Sequence, residues 1–298
     1  MRDIFETVVT WLDAGRACAV ATLVELREAK TAPLGTTVGL DDAGAIWGNI
    51  GAGCYEAEIV DAMSATMRDG ASRTLDINLE REDDLFGGTA CGAVMRVIVW
   101  RPERSFVATA RAIAAGDEPV ELRIDGYAIA FEPKAPLFIV GATSLAQELC
   151  AIARRADFRT TVIDPRPAFA TVQRLPDADA IVRAWPADYL PGVLDRRSSV
   201  VVLSHDPKLD VPALAAGLSS EAAYVGLLGS RRAQAARHRA LRDAGVREEE
   251  LARLRGPVGL DLGGVTPAET AVSILAELIA VRSGRSAVPL RALGGAIH

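Results

Sequence analysis

The apolar positions of the first hundred residues follow two spacings, one typical of helices and one typical of strands. Helical spacing covers residues 4–12 and 55–67. Strand-like runs cover residues 17–26, 72–78 and 94–100, with Gly-rich turns nearby. This mixture predicts a small α+β domain over residues 1–103.

From residue 137 onward, short continuous apolar runs alternate with helical patterns. These runs predict strands over residues 137–140, 160–163, 180–182, 200–203 and 224–228. The last helix is predicted over Pro267–Arg282, with Thr266 as its N-terminal cap. Strands that alternate with helices form a parallel sheet covered on both faces. The pattern therefore predicts an α/β protein with a C-terminal Rossmann-like domain over residues 137–298 and a smaller N-terminal α+β domain.

Residues 104–136 are predicted to connect these two domains. Asp125-Gly126 lies inside an alternating stretch and gives a strong hairpin signal. The segment 132–136, which contains two prolines, is predicted to be a linker.

Composition narrows the class of protein. Half of the 298 residues are hydrophobic, which is ample for a folded core. The formal net charge is −6, so a basic nucleic-acid clamp is not expected, although 30 of the 33 basic residues are Arg and can build local anion sites. No apolar run is long enough to span a bilayer, and the N-terminus lacks a signal-peptide pattern. We expect a cytoplasmic protein without a membrane span.

The turn after the first predicted parallel strand lies where a dinucleotide-binding turn would lie. Gly141 and Ala146 fit the first and third positions of the G-x-G-x-x-G/A fingerprint, but Thr143 occupies the middle position, where a side chain obstructs the pyrophosphate. Asp164 ends the next strand, where a ribose-binding acid is expected. The turn is either a nucleotide or NAD(P) site, or a Rossmann-like scaffold with an empty site.

Two further segments follow predicted strands. Gly229, Ser230, Arg231 and Arg232 begin a helix, whose free amides and dipole favour an anion, although an Arg pair on a surface helix is often only solvated. The segment with His205 and Asp206 offers a proton carrier or a phosphate donor, or a histidine that only caps a loop. The Gly-rich segment 256–264 either closes over a ligand or only turns the chain.

Two of the four cysteines lie in Gly-flanked loops. Cys54 precedes a predicted helix that has Glu56 in its first turn, and Cys91 precedes Gly92. A helix N-terminus favours the thiolate, which is the nucleophile and the soft metal ligand. Cys18 and Cys150 fall inside apolar patterns, where buried inert cysteine is expected. No CxxC spacing is present, so a zinc ribbon is excluded.

Several segments together are typical of one known family. They are, in the C-terminal half, residues 162–170, 205–214, 224–232, 256–263 and 266–269, and, in the N-terminal half, Ala32-Pro33, Gly53-Cys54-Tyr55-Glu56 and Cys91-Gly92. On these segments the chain resembles the XdhC/CoxI family, the accessory proteins of xanthine dehydrogenase and related molybdenum hydroxylases.

The chain departs from the family pattern at a few positions. The family usually has Gly-Ala-Gly-His where this chain has Gly141-Ala142-Thr143-Ser144, and Arg where it has Leu34. It has Ser-Gly-Gly-Cys where this chain has Gly51-Ala52-Gly53-Cys54, and a Gly pair where it has Gly92-Ala93. These departures indicate a divergent branch that serves a different partner enzyme.

The resemblance implies a chaperone and not an enzyme. Such proteins bind the molybdenum cofactor (molybdopterin), support its sulfuration and insert it into an apo molybdenum hydroxylase of the xanthine dehydrogenase or CO dehydrogenase type. A cysteine desulfurase is an implied partner, and a homo-oligomer is expected. The residues implied in cofactor binding are Cys54, Glu56, Cys91, Gly141, Asp164, His205, Asp206, Gly229, Ser230, Arg231 and Arg232, with Cys54 and Cys91 as metal ligands.

Two other functions are compatible with the same residues. One is an NAD(P)-dependent oxidoreductase that uses the Rossmann-like half, which Thr143 and the lack of a clear acid–base pair weaken. The other is a docking module that binds an apoenzyme and no ligand.

Overall fold

The structure, a computed structural model, describes residues 2–27, 32–50, 56–78 and 94–294; the side chains of Arg231 and Ala233 are left out of the description. The chain divides into two units, the first reaching to Pro133 and the second beginning at Lys134. Within these described ranges, no helix has the length and apolarity that a membrane span requires.

The first unit contains an antiparallel sheet of five strands in the order β3-β2-β1-β5-β4. Its elements are α1 (Asp3–Asp13), β1 (Cys18–Arg27), β2 (Thr37–Asp41), β3 (Ile46–Gly48), α2 (Glu56–Asp69), β4 (Arg73–Asn78), β5 (Val94–Trp100), α3 (Val107–Ala115) and the hairpin strands β6 (Val120–Ile124) and β7 (Tyr127–Phe131). The predicted elements of residues 4–100 are present in the described parts.

Both faces of the central strand β1 are buried. Cys18 and Val20 point into a core that contains residues of α1, α3 and the hairpin. Ala19 and Ala21 point to the other face, into a core that contains residues of α2. The alternation follows from the two-residue period of a strand.

The first unit extends beyond residue 103, where the sequence analysis ended the first domain. Residues of the expected connecting segment are buried in the same core as α1, among them Ile113 of α3 and Leu122 and Ile129 of the hairpin. The hairpin is stabilised by packing its apolar face into this core, because an isolated two-stranded hairpin is only marginally stable in water.

The second unit contains a parallel sheet of six strands in the order β10-β9-β8-β11-β12-β13. Its elements are β8 (Ala135–Val140), α4 (Ser144–Arg155), β9 (Phe158–Ile163), β10 (Ala180–Val182), α5 (Pro186–Tyr189), β11 (Ser199–Val202), α6 (Pro207–Leu218), β12 (Tyr224–Leu227), α7 (Arg231–Asp243), α8 (Glu248–Leu251), β13 (Leu254–Arg255) and α9 (Pro267–Arg282). The predicted parallel sheet is confirmed, and its strand order is that of the Rossmann fold.

The sheet of the second unit is covered on both faces. Val201 of β11 lies in a core with residues of α4 and α9. Its neighbours Val200 and Val202 lie in a core with residues of α6, α7 and α8. The prediction of a linker over residues 132–136 is wrong for Ala135 and Pro136, which begin β8 and pair with β9.

Candidate functional site

The candidate site lies at the carboxyl edge of the parallel sheet. β9 and β10 lie on one side of β8, and β11, β12 and β13 lie on the other. The connections after β8 and β11 therefore lead in opposite directions, and open α/β sheets bind their ligands in the crevice that this reversal leaves. The structure places the segments that contain Gly141, Asp164, His205 and Gly229 at this edge.

Gly141 and Ser204 bring the loops after β8 and β11 into direct contact. Gly141 has a φ of +104°, and a Cβ added there would lie 2.9 Å from the backbone nitrogen of Ser204. A side chain at position 141 would therefore separate the two loops. Glycine is needed both for this close approach and for the positive φ.

Asp164 is fully buried at the end of β9 and is engaged on both carboxylate oxygens. It accepts hydrogen bonds from the backbone N–H of Ala142 (2.8 Å) and of Arg166 (3.0 Å), and from the Arg166 guanidinium (2.9 and 2.7 Å). Burial acts to raise the pKa of Asp164, but the hydrogen bonds from Arg166 and Ala142 outweigh it and lower the pKa below its ordinary value. The carboxylate oxygens that would accept hydrogen bonds from a ribose therefore already accept them from groups of the protein.

Substitution Asp164→Asn is expected to lower the free energy of unfolding by about 1–2 kcal/mol at neutral pH. The loss is limited because Arg166 is half-exposed and water replaces part of its interaction with the carboxylate. Because the pKa of Asp164 is lowered by folding, its contribution is complete above the ordinary aspartate pKa of about 3.9 and disappears as the pH falls through the lower folded value. Urea titrations at several pH values should show the difference between wild type and variant closing on acidification. A difference independent of pH would contradict this account.

The backbone N–H groups of the turn after β8 donate hydrogen bonds to other groups of the protein. Thr143 caps α4, because its hydroxyl oxygen accepts a hydrogen bond from the Ala146 N–H at 3.1 Å. The N–H groups of Ala142 and Thr143 donate to Asp164 and to the carbonyl of Gly141. Three amides of this turn are therefore occupied within the protein, and the Thr143 side chain stands where a pyrophosphate would approach, so the geometry disfavours NAD(P) at this turn.

The loop after β11 is held by a buried polar cluster. Ser204 donates its hydroxyl proton to Asp210, which also binds the guanidinium of Arg237. Asp210 is fully buried, and burial raises its pKa while Ser204 and Arg237 act to lower it. The Arg237 guanidinium also donates to the carbonyl of His205 at 3.4 Å. The cluster therefore joins the 204–206 loop, α6 and α7.

His205 and Asp206 present exposed side chains at the site edge. Asp206 caps α6, since its carboxylate accepts a hydrogen bond from the Lys208 N–H at 2.9 Å. The Asp206 charge also acts on the guanidinium of Arg166 and helps to raise its pKa, after the larger effect of Asp164. The ends of β9 and β11 are thus electrostatically linked.

The start of α7 leaves a cation exposed. Gly229 has a φ of +141°, and α7 begins at Arg231, as the sequence predicts for this strand-to-helix turn. Arg232 is exposed, and among the described residues its side chain has no ion-pair partner. This guanidinium and the first amides of α7 are suited to an anion.

The Gly-rich segment 256–264 is fastened to α9 at one end. Glu277 accepts hydrogen bonds from the Gly259 N–H (2.7 Å) and the Tyr224 hydroxyl (2.6 Å). The N–H of Leu260 donates to the carbonyl of Ser273 at 3.2 Å. Leu262 and Val265 are exposed beyond this anchor. The segment therefore turns the chain in its first half, and its second half has one exposed large apolar side chain, Leu262, with Val265 directly after the segment.

The predicted thiolate ligands Cys54 and Cys91 lie outside the described residues. Glu56, whose side chain is exposed, lies in the first turn of α2. In the ranges that the structure describes, no group of three His, Cys, Asp or Glu side chains is arranged to hold a metal ion.

The other two cysteines are buried, as predicted. Burial is the largest cause that raises the pKa of Cys18 to about 11 and that of Cys150 to about 12, so both stay protonated thiols at neutral pH. They are unsuited to binding a metal as thiolates.

Sequence reasoning missed the residues that support the site. Arg166, Asp210 and Arg237 lie in motif segments or a predicted helix, but none was singled out as a positioning group. Asp210 lies one helical turn after Asp206, a spacing that places both near the same face of α6. The far partner Arg237 comes from another helix, and no sequence signal indicates that contact.

Two family models match the chain. The model described as the XdhC and CoxI family matches residues 11–78, and the one described as the XdhC Rossmann domain matches residues 137–278. Together these matches span more than two thirds of the chain.

Two curated relatives are informative. The molybdenum cofactor insertion chaperone PaoD of Escherichia coli is 26% identical over 94% of this chain and 88% of the relative. A protein of Bacillus subtilis described as a probable xanthine dehydrogenase component is 32% identical over 51% of this chain and 44% of the relative.

A solved structure shares the fold. It is described as a xanthine dehydrogenase from Bacillus halodurans and aligns with a TM-score of 0.77 over 97% of each chain, at 23% identity. At that identity the likeness concerns the fold alone.

Proposed function

We propose that this chain, which belongs to the XdhC and CoxI family, binds the molybdenum cofactor and inserts it into an apo molybdenum hydroxylase of the xanthine dehydrogenase type. The observation that carries the proposal is the similarity to a molybdenum cofactor insertion chaperone, which spans nearly the whole of this chain and most of the relative. In this proposal the cofactor is the cargo of the chain. It consists of a soft, sulfur-bound metal joined to a pterin that carries an anionic phosphate.

The second unit supplies chemistry suited to the anionic part of the cargo. Arg232 is exposed at the start of α7, where the helix dipole also favours negative charge. Gly229 and Ser230 precede the helix, and Arg231 begins it. We assign these four residues to the phosphate or an attached nucleotide, with Gly141, Asp164, His205 and Asp206 forming the neighbouring edge.

The first unit brings the sequence neighbours of the two loop cysteines to one end. Only residues 70–72 separate α2 from β4, so these elements run antiparallel and Glu56 lies at the end where β4 finishes. The last residue of β4, Asn78, pairs with Val94, the first residue of β5. Glu56 and Val94 therefore lie at the same end of the sheet.

The shared end of the sheet at which Glu56 and Val94 lie supports the proposal of a joint role for Cys54 and Cys91. Each is within three residues of Glu56 or Val94 in the sequence. We propose that the two thiolates contact the molybdenum end of the cofactor or carry sulfur for it as a persulfide. Sulfuration also requires a sulfur donor, for which a cysteine desulfurase is the proposed partner.

Client range and assembly are further parts of the proposal. A CO dehydrogenase type hydroxylase is a second proposed client, and a homo-oligomer is the expected state of the chaperone. Since apo and loaded clients differ in activity, the client range is open to direct assay, and sedimentation of the purified chain measures the assembly. The cytoplasm, where thiols stay reduced, is the proposed location.

The test is reconstitution of a client. An apo xanthine dehydrogenase type hydroxylase is mixed with isolated sulfurated cofactor, with and without the purified chain, and its activity is followed over time. The proposal predicts faster and more complete activation when the chain is present, and weaker assistance from Cys54→Ala. Equal activation with and without the chain would refute the insertion role.

The same assay tests the docking-module alternative, and a titration with NAD(P)H tests the oxidoreductase alternative. A docking module that binds no ligand would assist the client equally well after Cys54→Ala. An NAD(P)-dependent oxidoreductase would show saturable NAD(P)H binding, which the occupied amides near Gly141 and the engaged Asp164 disfavour.

A further inference from the structure

A cleft of about 510 Å³ lies in the first unit, at the end of its sheet opposite to Glu56 and Val94. It is formed where α1 ends, β1 begins, α2 ends and β5 leaves the sheet; its lining includes Leu12, Arg16, Cys18, Gly70, Arg101 and Arg104. None of these residues belongs to the site of the proposed function. A volume of this size accommodates a small organic ligand.

Three arginines line the cleft, and two of them supply its available positive charge. Arg16 is held in place by Asp41, at 2.6 Å, and by Asp42, at 3.0 Å. Arg101 and Arg104 are exposed, and within the described part of the chain neither guanidinium has an ion-pair or hydrogen-bond partner. Glu103 is the acidic residue among those that line the cleft. Two guanidinium groups thus remain available for a ligand.

The walls of the cleft leave room beside these arginines. Gly15 and Gly70 line it with φ values of +72° and +76°, and a Cβ added at either would meet no atom within 4 Å. Cys18 is buried to 1% exposure and lies among the lining residues. Its pKa is raised to about 11, mainly by burial, so it adds no negative charge that would repel an anion.

We propose that this cleft is a binding site for a small phosphate-bearing anion, held by Arg101 and Arg104. Guanidinium groups bind phosphate oxygens through paired, charge-assisted hydrogen bonds. The phosphate has two conceivable sources, the phosphomonoester of a pterin cofactor or a free metabolite. With a free metabolite, the site goes beyond the proposed function, which uses the opposite end of this unit and the second unit. With the pterin cofactor, the cleft replaces the 229–232 turn as the holder of the cofactor phosphate, and the inference then rests on the proposed function.

The test is isothermal titration of the full chain with inorganic phosphate and pyrophosphate at constant ionic strength. Arg101→Gln and Arg104→Gln are each expected to weaken binding about tenfold, the loss of one charge-assisted pair. Arg123→Gln is the matched control, because Arg123 lies in the β6–β7 hairpin of the same unit and is 77% exposed. Circular dichroism and thermal unfolding check that every variant folds like the wild type.

The outcomes distinguish the site from a general charge effect. Saturable binding that is weakened in both cleft variants and unchanged in Arg123→Gln supports the proposal. Absence of binding at millimolar phosphate and pyrophosphate, or equal weakening in the control, overturns it.

Pterin content identifies the source of the phosphate. If Arg101→Gln purified from a cofactor-producing host carries less pterin than wild type, the cleft holds the phosphate of the cofactor. If pterin content is unchanged while phosphate affinity falls, the ligand is a free anion. Both results support the cleft as an anion site, and neither depends on insertion into a client.

Discussion

Asp210→Ala is expected to lower the free energy of unfolding of the second unit by about 3–5 kcal/mol. Asp210 is fully buried and binds both the Ser204 hydroxyl and the Arg237 guanidinium. Its removal leaves a guanidinium that is only 17% exposed without its carboxylate, and a buried hydroxyl without its acceptor. The variant should also loosen the 204–206 loop, whose His205 carbonyl accepts from Arg237.

The matched control is a second ion pair of the same helix. Arg242 of α7 pairs with Glu248, and both side chains are more than half exposed. Glu248→Ala should therefore have a much smaller effect on the free energy of unfolding than Asp210→Ala, since water screens an exposed pair. Urea unfolding of the three proteins makes the comparison. If Asp210→Ala and Glu248→Ala are equally mild, the buried cluster does not hold the loop.

Gly141→Ala is expected to destabilise the second unit by about 2–5 kcal/mol, from backbone strain and overpacking together. The new Cβ would lie 2.9 Å from the Ser204 nitrogen and 3.0 Å from its Cβ. The nitrogen belongs to the backbone and the Cβ is fixed to that backbone, so neither can move aside as the end of a flexible side chain could. The loops after β8 and β11 would have to separate.

Comparison with Gly245→Ala separates the cost of the steric clash at position 141 from the cost of backbone strain. Gly245 lies in the same unit with a φ of +88°, and an added Cβ there meets no atom within 4 Å. This control should cost about 1–2 kcal/mol, the strain of a positive φ alone. Thermal or urea unfolding measures both variants. A cost for Gly141→Ala no greater than for Gly245→Ala would show that the loops are not in tight contact.

The elements of the fold were largely predictable because their signals are local. Pro267–Arg282 is a helix with the predicted bounds, and Thr266 caps it with reciprocal bonds to Glu269. The hairpin at Asp125-Gly126 also forms, with positive φ at both residues. Propensity, capping and turn chemistry depend on neighbours in sequence, so a single chain reveals them.

The contacts that build the site were less predictable because they join distant segments. The cluster of Ser204, Asp210 and Arg237 links segments whose sequence patterns give no sign of their pairing. The ion pair between Asp164 and Arg166 is local in sequence. Whether the Asp164 carboxylate stays available to a ribose depends on its burial, which only the folded sheet reveals. The short strand β13 was missed for a similar reason, since two residues carry no periodicity.

The roles of the predicted site residues are still predictions. The structure brings Gly141, Asp164, His205, Asp206 and the 229–232 turn to one edge of the parallel sheet, as strand order requires. Cys54 and Cys91 lie outside the described residues, and their sequence neighbours Glu56 and Val94 lie at one end of the sheet of the first unit. Chemistry at the cysteines is therefore the part of the account that most needs a direct measurement.

That measurement is the molybdenum and pterin content of the purified full-length chain from a cofactor-producing host. Wild type is compared with Cys54→Ala and with Cys150→Ala, which removes a buried thiol of the other unit. The account predicts near-stoichiometric cofactor in wild type and Cys150→Ala, and its loss in Cys54→Ala. Absence of cofactor from all three proteins, or equal content in all three, would contradict the proposed cofactor contact.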